Sequence, residues 1–100
     1  MPVYVFAENT VTNDPNVFFD SEFYHEVTSW MRQNGGERIG AAYNDTVVIK
    51  GSQTHNRVIL LRFDDMDKVR VWANGLKKIT DKFGTVSSAL RVIAFNSDPM

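Results

Sequence analysis

Three charged side chains interrupt strand-like runs that are otherwise apolar, and they are the first candidates for chemistry. Glu8 follows Val3-Tyr4-Val5-Phe6-Ala7. Arg62 lies within Val58-Ile59-Leu60-Leu61-Arg62-Phe63, and Arg91 within Ala89-Leu90-Arg91-Val92-Ile93. An isolated buried charge is costly, so each must pair, reach an edge or face a polar cavity. One reading is an ion pair, Glu8–Arg91 or Glu8–Arg62. The other is an anionic ligand held by an arginine. His25 falls on the polar side of a helical segment and His55 in a polar loop, so both read as solvated unless His25 turns inward. Asp64, Asp65 and Asp67 stand at a helix start, where the dipole favours acidic residues without any metal.

The absent residue types remove whole reaction classes. With no cysteine there is no thiolate zinc site, iron–sulfur cluster or cysteine nucleophile. Two separated histidines make a poor zinc set. There is no Gly-x-Ser-x-Gly elbow and no phosphate loop, since Gly35-Gly36 reads as a helix terminator. We expect no metal and no cofactor. Net charge is −1, with no basic run beyond Lys77-Lys78, which argues against nucleic acid. No apolar segment approaches the ~20 residues of a membrane span, and no signal peptide is visible. The expectation is a soluble, cytoplasmic protein.

The elements that must position these groups follow from periodicity. Val3 to Thr12 reads as a strand. Asp14 as N-cap and Pro15 at the first helical position open a helix predicted to run to Asn34, with Phe19, Phe23, Val27 and Trp30 as its buried stripe. Glu37 to Gly51 reads as one long, bent strand, or a strand with a bulge near Asn44, more readily than as a tight hairpin, and Thr46–Lys50 is its strongest strand material. Arg57–Phe63 is the most apolar strand. A second helix runs from about Asp65 to Gly84, burying Val69, Trp72, Ala73, Leu76, Ile79 and Phe83. Gly75 in its middle costs ~1 kcal/mol against alanine and predicts a kink or a break. Val86 to Phe95 is the last strand.

The order βαββαβ over 100 residues predicts a single α+β domain, residues 1–100. It is a ferredoxin-like sandwich, with an antiparallel sheet carrying two helices on one face. Its strands are apolar on both faces, whereas a sheet with one wetted face should alternate. A second copy packed on the helix-free face would cover it, so the sequence predicts a homodimer.

These positions resemble the dimeric α+β-barrel superfamily, and within it the small bacterial proteins known as domain of unknown function 1330. The carriers are Asp14-Pro15, Gly35-Gly36, Gly51, Arg57-Val58-Ile59, Phe63 and Met66 to Trp72. They are turn, cap and core positions, so the resemblance implies a fold, a dimeric barrel and a pocket between helices and sheet for a small organic molecule. It implies no activity. Lys50 and Arg62 stand where that family tends to be acidic, so an acidic site would not carry over.

Phe6-Ala7-Glu8-Asn9 and Trp72 are also similar to the haem-degrading monooxygenases of the same superfamily. Those enzymes need an iron-ligating histidine about three helical turns past the tryptophan. Here the region reads Thr80-Asp81-Lys82-Phe83, which leaves iron without an axial ligand. Related cofactor-free oxygenases act on aromatic, polyketide-like substrates. That likeness implies a pocket using Asn9, Trp72, Arg62 and Tyr43, with His25 if it faces inward. A purely structural dimer would instead fill the volume with Trp30, Trp72 and Phe83.

Overall fold

The computed structural model describes residues 2–11, 18–43, 45, 47, 49–51, 56–83 and 87–97. The elements are β1 (Val3–Val11), α1 (Glu22–Gln33), β2 (Glu37–Tyr43), β3 (Arg57–Phe63), α2 (Met66–Phe83) and β4 (Ser87–Asn96). The strands form one antiparallel sheet in the order β2-β3-β1-β4. This is the βαββαβ ferredoxin-like arrangement that the periodicity predicted. Among the described residues no helix is long and apolar enough to cross a membrane.

Strand alternation decides what each face of the sheet carries. Val3, Val5 and Ala7 of β1 and Leu61 and Phe63 of β3 are buried. Val3, Val5, Leu61 and Phe63 pack in one cluster with Met31 of α1 and Val69 and Trp72 of α2. A second cluster joins Phe18, Phe23 and Ile79. The alternate residues Tyr4, Phe6, Val58 and Leu60 are only half-buried on the other face.

Four local expectations change. The first helix does not run unbroken. Phe18 and Phe19 are helical, but the chain turns at Asp20, and Ser21 caps a new start. Ser21 Oγ accepts a hydrogen bond from the Tyr24 N–H (3.2 Å) and donates one to the Phe18 carbonyl (2.6 Å). Asp14 and Pro15 lie outside the described residues. Ser21→Ala should therefore cost about 1 kcal/mol in urea unfolding; an unchanged midpoint would show that the cap carries nothing.

The second strand carries a bulge at Ile39, between Arg38 and Gly40, and Asn44, where the sequence predicts one, lies outside the described residues. The strand also ends at Tyr43, and Val47 and Ile49 are 84% and 92% exposed. Tyr43 already pairs with Arg57, the first residue of β3, so Val47 and Ile49 find no strand of the described residues beside them. Ala73 is exposed, because the stripe Val69, Trp72, Leu76, Ile79, Phe83 passes beside it. Finally, α2 runs through Asn74-Gly75 unbroken. Gly75 is where the Trp30 ring lies, close enough that a Cβ would fall 2.2 Å from Cζ2. The Trp30 indole N–H donates to the Trp72 carbonyl at 2.8 Å, fixing the crossing of the two helices.

Candidate functional site

A cavity of about 130 Å³ lies between the helices and the inner face of the sheet. Most of its wall is apolar: Ala7, Ile59 and Leu61 from the sheet, Phe23 and Val27 from α1, Leu76 from α2. Its polar wall comes from Asn9, Arg57, Arg38, Tyr24, Thr28, Thr80 and the indole of Trp72. That composition, apolar with a few converging polar groups, is typical of a small-molecule site.

The sheet register assembles the polar end. Asn9 of β1 lies opposite Arg57 of β3, and Tyr43 of β2 lies opposite Arg57 from the other side. Arg38 joins this group through the Ile39 bulge. Residues 38 and 43 differ by an odd number and would face opposite ways on a regular strand. One extra residue between them brings both to the inner face.

Arg57 is 5% exposed. Its guanidinium carbon lies 5.3 Å from the Phe18 ring centre, 5.2 Å from Phe19 and 5.6 Å from Tyr24. Among the described residues no carboxylate pairs with it. Burial pushes its pKa below the ordinary arginine range, as does the nearby charge of Arg38, while Tyr24 pulls it back up.

The Tyr24 hydroxyl accepts a 2.6 Å hydrogen bond from Arg38 Nη1. Burial raises the pKa of this phenol. The Arg38 hydrogen bond and the charges of Arg38 and Arg57 outweigh that effect, and the net value falls below the usual 10.0. A phenol whose folded-state pKa is depressed contributes stability that is present above the unfolded value and lost as pH falls through the folded one. Folded protein should thus begin to show phenolate absorbance at a lower pH than Tyr24→Phe does. Arg38→Gln should move that titration upward; a titration unmoved by Arg38→Gln would show that the hydrogen bond has no effect on it.

Trp72 is 5% exposed and packs its ring 5.2 Å from that of Phe63. Its indole N–H is buried without a hydrogen-bond partner. A buried donor left unpaired costs about 1–3 kcal/mol, and an acceptor on a molecule in the cavity would satisfy it. Trp72 does not fill the space, because the cavity persists beside it. Trp30 packs on Gly75, and Phe83 stacks edge-on against Phe23.

The residues predicted for the site divide. Asn9 and Trp72 line the cavity. Tyr43 borders a shallower groove over β2, of about 380 Å³, that shares Tyr24, Arg38 and Arg57 with the cavity. Glu8, Arg62 and Arg91 do not join them. Glu8 lies between the inward positions Ala7 and Asn9, and Arg62 between Leu61 and Phe63, so alternation sends both to the other face. Arg62 instead lies 3.8 Å from Asp64. Glu8 stands directly opposite Arg91 in the β1–β4 register. The alternative Glu8–Arg62 pair fails on register, since Glu8 faces Val58, about 13 Å along β3 from Arg62. His25 is exposed, with its ring 6.0 Å from that of Tyr24. His55 lies outside the described residues. Among the described residues no three acidic or histidine side chains gather as a metal site would require.

Arg57, Arg38 and Tyr24 were missed as site residues. Arg57 was detectable, because it is in phase with Ile59, Leu61 and Phe63. Arg38 was not, because its facing depends on the position of the bulge.

A family model matches residues 2–76, a domain of unknown function, DUF1330. The chain belongs to the DUF1330 family. No curated protein matches it in sequence. Among solved structures it is similar to SnoaB, a cofactor-independent oxygenase from Streptomyces nogalater. Identity is 14%, the match covers 99% of this chain and 95% of that one, and the TM-score is 0.62. A mutant of SnoaB matches with the same figures. At that identity the likeness of this DUF1330 protein to SnoaB establishes the fold.

Proposed function

We propose that this DUF1330 protein binds a small organic molecule in the cavity between α1, α2 and the sheet, and does so as a homodimer. The buried, unpartnered indole N–H of Trp72 in the wall of an otherwise apolar cavity carries the binding reading. The volume matches one aromatic ring, since an engineered cavity of ~150 Å³ takes benzene. A ligand-stabilisation screen of monocyclic aromatics tests it. A ligand at ~100 times its Kd adds ~2.7 kcal/mol, and Trp72→Phe should weaken the hit. A screen with no stabilising compound would defeat the reading.

The dimer reading rests on the uncovered apolar surface. Phe95 and Ile93 on β4 are 44% and 37% exposed, and Tyr4 stacks against Phe95 at 5.9 Å on the same helix-free face. A second copy packed sheet to sheet would bury this surface. Sedimentation at micromolar concentration should give twice the chain mass; a monomer would overturn it.

A second reading is a cofactor-independent oxygenase, the activity that SnoaB carries. Such chemistry needs a substrate held and deprotonated, so that its own electrons reduce dioxygen. Tyr24, poised between Arg38 and Arg57, is the group here suited to take the proton once ionised to its phenolate, which its lowered pKa favours on the alkaline side. Oxygen uptake with a dihydroxybenzene in the presence of chelator, lost in Tyr24→Phe, would support it. Uptake unchanged in that variant would remove Tyr24 from the role.

A further inference from the structure

We infer that the ligand is an aromatic carboxylic acid, its ring in the cavity and its carboxylate between Arg57 and Arg38. The inference rests on the binding reading above and adds the charge of the ligand. Two guanidinium groups converge on one neutral phenol at the mouth of the cavity, and among the described residues no acid pairs with either. The residues flanking Arg57 in the sheet, Asn9 and Tyr43, are neutral, and the three rings around it are neutral as well.

An exposed cation needs no partner, but Arg57 is almost wholly buried. Buried charges in folded proteins are normally paired. The arginine fork matches a carboxylate in two parallel hydrogen bonds, and such charge-assisted bonds are the strong ones.

Position supports the same conclusion. Tyr24, Arg38 and Arg57 are the residues common to the cavity and the more open groove over β2. A ligand coming through the groove therefore meets both arginines first. Its ring then continues inward past Ile59 and Leu61, and a para hydroxyl, as in 4-hydroxybenzoate, would offer the Trp72 N–H the acceptor it lacks. The cavity accommodates one ring, and the anion stays at the mouth, where its remaining lone pairs reach Asn9, the Tyr24 hydroxyl or water.

The test uses the full chain and three probes, benzoate, 4-hydroxybenzoate and benzamide. Binding is read from the indole N–H resonances, which number two and are assigned with Trp72→Phe. Benzoate should shift the Trp72 resonance and bind at least about tenfold more tightly than benzamide, as charge-assisted hydrogen bonds imply. Arg38→Gln, an exposed substitution, should weaken benzoate about tenfold and benzamide by clearly less, since an amide carbonyl loses only a hydrogen bond to a cation and no ion pair. Arg57→Met should equalise the two. If benzamide binds as tightly as benzoate, the charge inference is wrong while the pocket stands. If none of the probes moves the Trp72 resonance, the pocket reading fails and the inference falls with it.

Discussion

Gly75→Ala is expected to destabilise the protein by about 2 kcal/mol, although alanine is the better helix former by ~1 kcal/mol. The added Cβ would lie 2.2 to 2.5 Å from three atoms of the Trp30 ring. No real contact is that short, so either the helices part or Trp30 leaves. Trp30 is held by its 2.8 Å hydrogen bond to the Trp72 carbonyl. Losing that bond costs ~1 kcal/mol, and repacking an overfilled contact costs ~1–3 kcal/mol. Together these exceed the propensity gain. Urea unfolding measures the change, and a double-mutant cycle assigns it. In a Trp30→Ala background the same substitution should become neutral or stabilising by up to ~1 kcal/mol. If Gly75→Ala stabilises the unaltered chain, Trp30 does not pack on Gly75. The consequence extends to the cavity. Its walls come from both helices, so a variant that shifts their crossing should also bind ligand less well.

The contrast between Gly75 and the rest of α2 shows where sequence reasoning stops. Helical periodicity placed Val69, Trp72, Leu76 and Ile79 on the buried side, because burial of a stripe is a property of the segment itself. The role of Gly75 is not. Read alone, a mid-helix glycine has only a cost. Its reason lies in a tryptophan 45 positions away. The first helix shows the same limit at shorter range. The stripe through Phe19 and Phe23 reads straight across Asp20-Ser21, yet Ser21 offers its hydroxyl to the Tyr24 N–H and restarts the helix there. Val47 and Ile49 have high strand propensity and form no strand, because propensity needs a neighbouring strand and β3 supplies none past Tyr43.

The candidate site was legible in the same uneven way. Asn9 and Trp72 were found through resemblance and do line the cavity. Arg62, Glu8 and Arg91 attracted attention because charge in an apolar strand is conspicuous, but one step of alternation puts them on the other face. The same alternation applied to Arg57 would have pointed it inward. Arg57 opens its strand, a place where charge is usually solvated, and only its phase with Ile59, Leu61 and Phe63 argues otherwise.

Arg57→Met should raise the stability of the ligand-free protein by about 1 kcal/mol, whereas Arg57→Ala should lower it by about 2–4 kcal/mol. The two variants separate charge from packing. Burying a guanidinium without a counter-ion costs several kcal/mol. Against that stand three ring faces, at ~0.5–2 kcal/mol each, and the interaction with Tyr24. These nearly balance. Methionine removes the desolvation cost, keeps an unbranched chain of similar reach and retains favourable sulfur–ring contacts with Phe18 and Phe19. Alanine removes the contacts too and leaves a void among the rings. Urea midpoints in the order methionine, unaltered chain, alanine are the expected result. If methionine is as damaging as alanine, the charge itself holds the fold together and needs no ligand to account for it. Saturating benzoate completes the comparison. It should raise the midpoint of the unaltered chain by more than that of Arg57→Met, which keeps only the ring contacts. The stabilising contribution of Arg57 would then appear only when an anion is bound, which is the behaviour of a binding group rather than of a core residue.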